Sequence, residues 1–121
     1  MARLDFLHIC NDAFLTAGTN SLNVIGIFDR ITAQKLPVGI PKLSLAMGIT
    51  ALDGPHDILI VLKKDLKELG RVQGSYQGPN HQHIHHFIGL GFPEAGEYIF
   101  EVSVDGELLG TKRLLVNKTG E

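Results

Sequence analysis

The chain contains 121 residues, of which 44% are hydrophobic and 20% are charged, so it has the length of one domain and the composition of a globular protein. Its 11 Lys and Arg residues and 13 Asp and Glu residues give a net charge of −2. This balance argues against a nucleic-acid-binding protein and against a polybasic membrane-binding patch, and we expect a single domain over residues 1–121.

The start of the chain and its cysteine content predict where the protein resides. Asp5 lies close to the first residue, and no apolar stretch approaches the roughly 20 residues that span a bilayer. Cys10 is the only cysteine, so the chain cannot form an internal disulfide. We therefore expect a cytoplasmic protein in which Cys10 is a small buried apolar side chain rather than a nucleophile.

The first half of the chain predicts three strands. Leu4–Cys10 and Leu22–Ile31 read as two strands, and the residues between them are rich in Gly, Thr and Asn, which favours a loop. In Lys42–Leu52 large apolar residues alternate with small ones, so we expect the large face in the core and the small face covered by the protein itself or by a partner. The large face consists of Leu43, Leu45, Met47 and Ile49, and the small face of Ser44, Ala46, Gly48 and Thr50.

The middle of the chain predicts a buried strand and a connection. Ile58–Leu62 is apolar at every position, which favours a central strand over an edge strand. Asp65–Gly70 fits either one helical turn or a loop, and we favour a loop that leads into a strand over Arg71–Gln77.

Histidine is concentrated in His81–His86, which holds four histidines in six residues. In an extended strand, His81, His83 and His85 share one face. Because the opposite face is largely apolar, we expect these three histidines to point away from the core. That opposite face consists of Ile84, His86, Ile88 and Leu90.

The clearest strand pattern lies near the end of the chain. In Glu97–Val104, apolar residues at every second position indicate one buried face. The strand runs into Asp105-Gly106, a dipeptide typical of a type I′ turn, and Leu108–Val116 returns as the second strand of a hairpin.

Strict pairing across this hairpin would place Arg113 on the core face, opposite Tyr98. A bulge at Gly110 would instead bury Leu114 and Val116, and we prefer this arrangement. Together the segments predict an all-β fold, a seven- or eight-stranded antiparallel sandwich.

Two parts of the sequence resemble a known family. The first consists of Arg3–Ala13 and Leu22–Ile31, and the second of Phe92–Val102 followed by Asp105-Gly106. Over nearly the whole chain they are similar to a family of small prokaryotic proteins of about this length that has no assigned function. The resemblance implies a fold and supplies no catalytic or ligand-binding residues.

The segment before Tyr98 also resembles the corner of immunoglobulin-like sandwiches, where an acidic residue, a glycine and a tyrosine precede a buried strand. The resemblance implies that the Tyr98 hydroxyl bonds to nearby backbone. Phe100 stands where those domains have a cysteine, and the chain has no tryptophan. What is implied is therefore the architecture and not antigen-type recognition.

The histidine face offers a candidate metal site. Two imidazoles on one strand face can bind a divalent ion such as Zn or Ni, but a third ligand, His56 or an aspartate, would have to come from elsewhere in the fold. If His81, His83 and His85 form such a site, replacing His83 and His85 with Ala is expected to abolish metal binding and leave the fold intact. Solvated surface histidines and a pH-dependent charge switch are the alternatives.

Other signals of chemistry are weaker. The sequence contains no nucleophile elbow, phosphate-binding loop or zinc-protease motif, and Gly89-Leu90-Gly91 lacks the strand-to-helix context of a dinucleotide site. We expect Asp12 and Asp29 to be solvated at strand ends rather than to bind a cation.

Two hypotheses of function follow. The leading one is a non-catalytic binding or structural module without a cofactor, which binds a protein partner or associates with itself. The competing one is a histidine-based metal-binding protein or a small metal-dependent hydrolase.

Overall fold

The computed structural model describes residues 2–119 and confirms the all-β prediction. It contains nine strands where the sequence predicted seven or eight, because the predicted strand Leu22–Ile31 is divided in two. The strands are β1 (Arg3–Leu15), β2 (Leu22–Ile27), β3 (Arg30–Ala33), β4 (Val38–Thr50), β5 (Pro55–Lys64), β6 (Lys67–Gln77), β7 (Asn80–Phe92), β8 (Gly96–Val104) and β9 (Glu107–Lys118). Within residues 2–119, no helix has the length and hydrophobicity needed to cross a membrane.

The strands form two sheets, which we call the four-stranded and the five-stranded sheet. Their strand orders are β2-β1-β4-β7 and β3-β9-β8-β5-β6. Each sequential hairpin is antiparallel, but β3 pairs with β9 in parallel, so the five-stranded sheet is mixed rather than purely antiparallel.

The division between β2 and β3 marks the point where the chain crosses from one sheet to the other. The amide of Phe28 donates to the carbonyl of Ile9 in the four-stranded sheet, at 3.0 Å. One residue later, the carbonyl of Asp29 accepts from the amide of Leu115 in the five-stranded sheet, at 2.9 Å. A single stretch predicted as one strand can therefore serve two sheets, which alternation alone did not reveal.

The core lies between the two sheets and combines the large faces of their central strands. Leu43, Leu45 and Met47 of β4 are fully buried, as the alternation predicted. Tyr98 and Phe100 of β8 are fully buried on the other side. As predicted for the corner, the Tyr98 hydroxyl donates to the carbonyl of Glu94 at 2.7 Å and accepts from its amide at 3.3 Å.

The small face of β4 is covered by the chain itself. Cys10, Ala13 and Ala46 form a second buried cluster against which Ile84 packs. A Cβ atom at Gly48 would lie 2.4 Å from Cε2 of Phe6, so the absence of a side chain there lets the phenylalanine ring cover the strand.

The two hairpins of the five-stranded sheet have tight turns. Asp105 and Gly106 have φ of 52° and 84°, as the predicted type I′ turn requires. The pairing shifts by one residue between Val102 and Ser103, so the predicted bulge is present, at Leu109 rather than Gly110, and both Leu114 and Val116 are buried. The loop expected over Asp65–Gly70 is shorter, since β6 already begins at Lys67.

Candidate functional site

The histidines lie on β7, which is an edge strand of the four-stranded sheet and pairs only with β4 among the described strands. Directly paired residues of antiparallel strands project to the same face. His81, His83 and His85 therefore share the face of their β4 partners, which point into the core. Those partners are Ile49, Met47 and Leu45, respectively.

The prediction that these three histidines point away from the core is wrong. All three are half-buried and face the five-stranded sheet. His86 lies on the outer face, where its Nδ1 is 2.6 Å from Oγ of Ser44, and Ile88 is 74% exposed. Ile84 lies on that outer face as well, because it packs against the second cluster rather than the main core.

Aromatic and imidazole rings line the space between β6 and β7. The ring of Tyr76 on β6 is stacked on that of His81, with centroids 4.2 Å apart and planes 4° apart. The ring of Tyr76 also contacts that of His56, with centroids 5.2 Å apart. Farther along β7, the rings of His85 and Phe87 meet edge to face at 4.6 Å. We call these five residues, together with His83, whose ring centroid lies 5.3 Å from that of His81, the ring row.

His81 and His83 form a neutral pair. Nε2 of His81 is 3.1 Å from Nδ1 of His83, a hydrogen bond in which one ring donates and the other accepts. Burial, together with the neighbouring charges of His81 and His85, lowers the pKa of His83 to about 4. Burial also lowers the pKa values of His81 and His85. At neutral pH this part of the row carries no charge.

The structure gives the metal alternative no support. Among residues 2–119, no group of three or more His, Cys, Asp or Glu side chains is arranged to hold a metal ion. His81 and His83 lie together, but His85 packs against Phe87, and Tyr76 separates His56 from the pair.

The inward position of the histidines also changes what a mutational test can show. Replacing His83 and His85 with Ala would remove two side chains from between the sheets, so the fold would not stay unperturbed. A loss of metal binding in that variant would not distinguish a lost ligand from a weakened fold.

The remaining predicted residues have structural roles. Cys10 is fully buried, as expected, and burial raises the pKa of its thiol. The carboxylate of Asp12 accepts from Nζ of Lys42 at 2.8 Å, and Asp29 lies 3.6 Å from Arg30. Asp29 is exposed in the connection between β2 and β3, as expected, but Asp12 lies within β1, where it pairs with Ile25, and is only partly exposed.

The sequence did not predict the ion pair between His56 and Asp105 in this region. Nδ1 of His56 lies 2.6 Å from Oδ2 of Asp105, although 49 residues separate the two in the chain. The geometry resembles a general-base dyad, but Nε2 of His56 is 2.5 Å from the carbonyl oxygen of Leu52. With both ring nitrogens engaged, His56 has no free position from which to accept a substrate proton. The sequence named His56 only as a metal ligand, and no local motif links it to a distant turn.

Four exposed large apolar residues lie at the opposite edge of the four-stranded sheet, on the hairpin of β1 and β2. Ile25 and Ile27 of β2 are 51% and 58% exposed, and Phe14 and Leu15 of β1 are also exposed. Among the described strands, β2 pairs only with β1, through Cys10–Leu15, so its other edge has unpaired backbone groups. We call this surface the β2 edge.

The β2 edge differs from the edges of the five-stranded sheet in its charge. β2 contains no Asp, Glu, Lys or Arg, whereas β6 contains Lys67, Glu68 and Arg71. The other edge strand, β3, is only four residues long and carries Arg30. Charge and shortness are the usual protection of edge strands against pairing with another chain, and β2 has neither a charge nor a proline.

Comparison with known proteins places the chain in a family. No curated protein matches the sequence. Residues 5–117, which include nearly all of the nine strands, match a family of unknown function, DUF6941. The chain belongs to this family of unknown function.

Proposed function

We propose that the protein is a non-catalytic binding module that acts through the β2 edge and associates with itself there. The observation that carries the proposal is the combination of unpaired backbone, absent charge and exposed Ile25 and Ile27 on one strand. Adding a strand to such an edge forms backbone hydrogen bonds and buries apolar side chains in the same step. The proposal includes an immunoglobulin-like architecture and a cytoplasmic location.

A second copy of the chain is a suitable partner for this edge because β2 has no charge. In an antiparallel pair of two identical strands, a charged residue near the centre lies close to its own copy, and the like charges destabilise the pair. Two copies of β2 avoid this repulsion, and apolar residues would lie opposite apolar residues.

The environment of the side chains most often used in catalysis also supports a non-catalytic binding module. The thiol of Cys10 is buried, and both ring nitrogens of His56 are hydrogen-bonded. The pair His81 and His83 is neutral and half-buried, without a third ligand beside it. These features support binding rather than chemistry as the role of the described residues.

Size-exclusion chromatography with light scattering, from micromolar to near-millimolar concentration, tests the proposal. We expect the wild-type protein to form dimers or larger assemblies. Ile25→Lys and Ile27→Lys should each weaken association at least about tenfold, since a lysine on the edge cannot be buried without cost. Leu52→Lys is the matched control, because Leu52 is 68% exposed but lies in the connection between β4 and β5.

Two results would contradict self-association through this strand. One is a wild-type protein that stays monomeric over the whole concentration range. The other is equal weakening by Leu52→Lys, which would indicate a different interface. Circular dichroism of each variant shows that the strands are retained.

A further inference from the structure

At one end of the sandwich, His56 joins two connections between strands. It lies near the start of β5, and its side chain is only 10% exposed. Its Nδ1 contacts Asp105 in the turn between β8 and β9, at 2.6 Å. Its Nε2 contacts the carbonyl oxygen of Leu52 in the connection between β4 and β5, at 2.5 Å.

The two contacts together determine the protonation of the ring. A carbonyl oxygen only accepts hydrogen bonds, so Nε2 must carry a proton. The Asp105 carboxylate also accepts from the amide of Asp57 at 2.8 Å, and these bonds lower its pKa, the His56 bond most. Asp105 is therefore ionised and accepts from a protonated Nδ1. With both nitrogens donating, His56 is an imidazolium cation.

The connection held by His56 is tied to a third one. The amide of Ala51 donates to the carbonyl of Pro79 at 2.6 Å, and the amide of Gly78 donates to the carbonyl of Gly54 at 3.0 Å. Residues 51–54 thus contact the turn between β6 and β7, which connects Tyr76 and His81 of the ring row. The hydrogen bond from His56 to Leu52 lies in the middle of this segment.

We propose that His56 is a pH-sensitive latch that holds residues 51–54 when it is protonated and releases them when it loses a proton. A neutral imidazole has one N–H group, but two acceptors face the ring. The carboxylate of Asp105 keeps that proton because a hydrogen bond to an ionised acceptor is the stronger of the two. The carbonyl of Leu52 then faces a lone pair on Nε2 and moves away.

The groups around His56 give the direction of the pH dependence. Asp105 and the Leu52 carbonyl raise the pKa of His56, in that order, while burial opposes them. Tyr76 packs on the ring from β6, and burial raises the pKa of its hydroxyl, so it stays neutral. Beyond Tyr76, His81 is neutral because its pKa is lowered. The latch is therefore closed below the ordinary histidine value of 6.5 and opens as the pH rises through the higher value in the folded protein.

Nuclear magnetic resonance of the full chain tests the latch directly. The ¹⁵N shifts of the imidazole should show both nitrogens of His56 protonated at pH 6 and a titration midpoint above 6.5. Hydrogen-exchange protection of the Ala51 and Gly78 amides, corrected for the intrinsic pH dependence of exchange, should fall at least tenfold across that titration. A midpoint at or below 6.5, or protection that does not change, overturns the proposal.

Two variants and a control separate the latch from a general loss of structure. His56→Gln should give low protection at Ala51 and Gly78 at every pH. Asp105→Asn, which keeps a residue that tolerates the positive φ of the turn, should lower the midpoint of His56. His8→Gln, on the outer face of β1, should leave protection unchanged at both amides. An unchanged midpoint in Asp105→Asn would overturn the proposal even if His56→Gln does not fold.

Discussion

Tyr76 and Tyr98 are both buried, yet their hydroxyl groups differ in hydrogen bonding. The Tyr98 hydroxyl makes two contacts with the backbone of Glu94, whereas the Tyr76 hydroxyl has no partner among the described residues. We expect Tyr98→Phe to lower the free energy of unfolding by about 1 to 2 kcal/mol. Tyr76→Phe should leave it unchanged or raise it by up to about 1 kcal/mol, because a buried group without a partner is removed.

Urea unfolding followed by circular dichroism compares the two variants under identical conditions. Each variant is the control for the other, since both remove one oxygen from a tyrosine that is at most 8% exposed. Equal losses in the two variants would show that the Tyr76 hydroxyl has a partner of similar strength.

At the residue scale, the sequence predicted the contact of Tyr98 and the burial of Cys10 but placed the histidines on the wrong side. Alternation grouped His81, His83 and His85 correctly on one face. It could not determine which face is internal, because apolar residues occur on both sides of β7. The pairing of β7 with β4 determines which face is internal. Because β4 lies more than 30 residues earlier in the chain, local periodicity carries no information about this pairing.

The turn between β5 and β6 differs from its counterpart between β8 and β9 in one residue. Asp65 and Leu66 have φ of 53° and 66°, so Leu66 occupies the position that Gly106 occupies in the other hairpin. A side chain in this left-handed conformation costs about 1 to 2 kcal/mol, whereas glycine costs about 0.5 to 1 kcal/mol through the entropy of the unfolded chain. Leu66 is 97% exposed, so its side chain has little packing to lose.

We therefore expect Leu66→Gly to raise the free energy of unfolding by roughly 0.5 to 1 kcal/mol. Leu69→Gly is the control, because Leu69 lies in β6 of the same hairpin and has no positive φ. That variant should be less stable than the wild type. Chemical denaturation measures both, and a loss of stability in Leu66→Gly would contradict the strain assigned to this turn.

At the scale of elements, strands with clear alternation or a strong turn signal were predicted well. The hairpin of β8 and β9 followed from Asp105-Gly106, and β4 followed from its alternating large and small residues. The extent of β1 was missed, since Asn11–Leu15 has the composition of a loop and becomes a strand by pairing with β2. The break after Ile27 was missed because each part of that stretch pairs in a different sheet, which the local sequence does not specify. In both cases pairing with another strand decided the structure.

At the scale of the whole molecule, composition and turn spacing were enough to predict an all-β sandwich but not which strands are at its edges. Edge position depends on the strand order, which the spacing of turns does not specify. The β2 edge and the latch at His56 therefore emerge only from the assembled sheets. The β2 edge depends on the position of its hairpin in the sheet, and the latch depends on two residues that are 49 positions apart in the chain.

The folded molecule holds two kinds of histidine whose effects on stability have opposite pH dependence. For His83, the pKa falls from 6.5 to about 4 on folding, so the unfolded chain binds more protons between these values and stability rises with pH across that window. This difference in pKa corresponds to a change of about 3 kcal/mol in the free energy of unfolding. Because water reaches the half-buried ring, we expect a change of about 1 to 2 kcal/mol. For His56, the pKa is raised, so its contribution is complete below 6.5 and is lost as the pH rises through the folded value.

We expect the free energy of unfolding, measured by urea denaturation from pH 4 to pH 9, to be highest near 6.5 and to decline on both sides. His83→Gln should reduce the decline of the free energy of unfolding below pH 6.5 and leave the decline above pH 6.5 unchanged, because only the neutral, half-buried ring resists protonation. His56→Gln should flatten the alkaline side and leave the acid side, so each variant is the control for the other. A free energy of unfolding that rises steadily from pH 6.5 to pH 9 in the wild type would contradict the role of His56. If the decline below pH 6.5 is unchanged in His83→Gln, carboxylates rather than the ring row cause it.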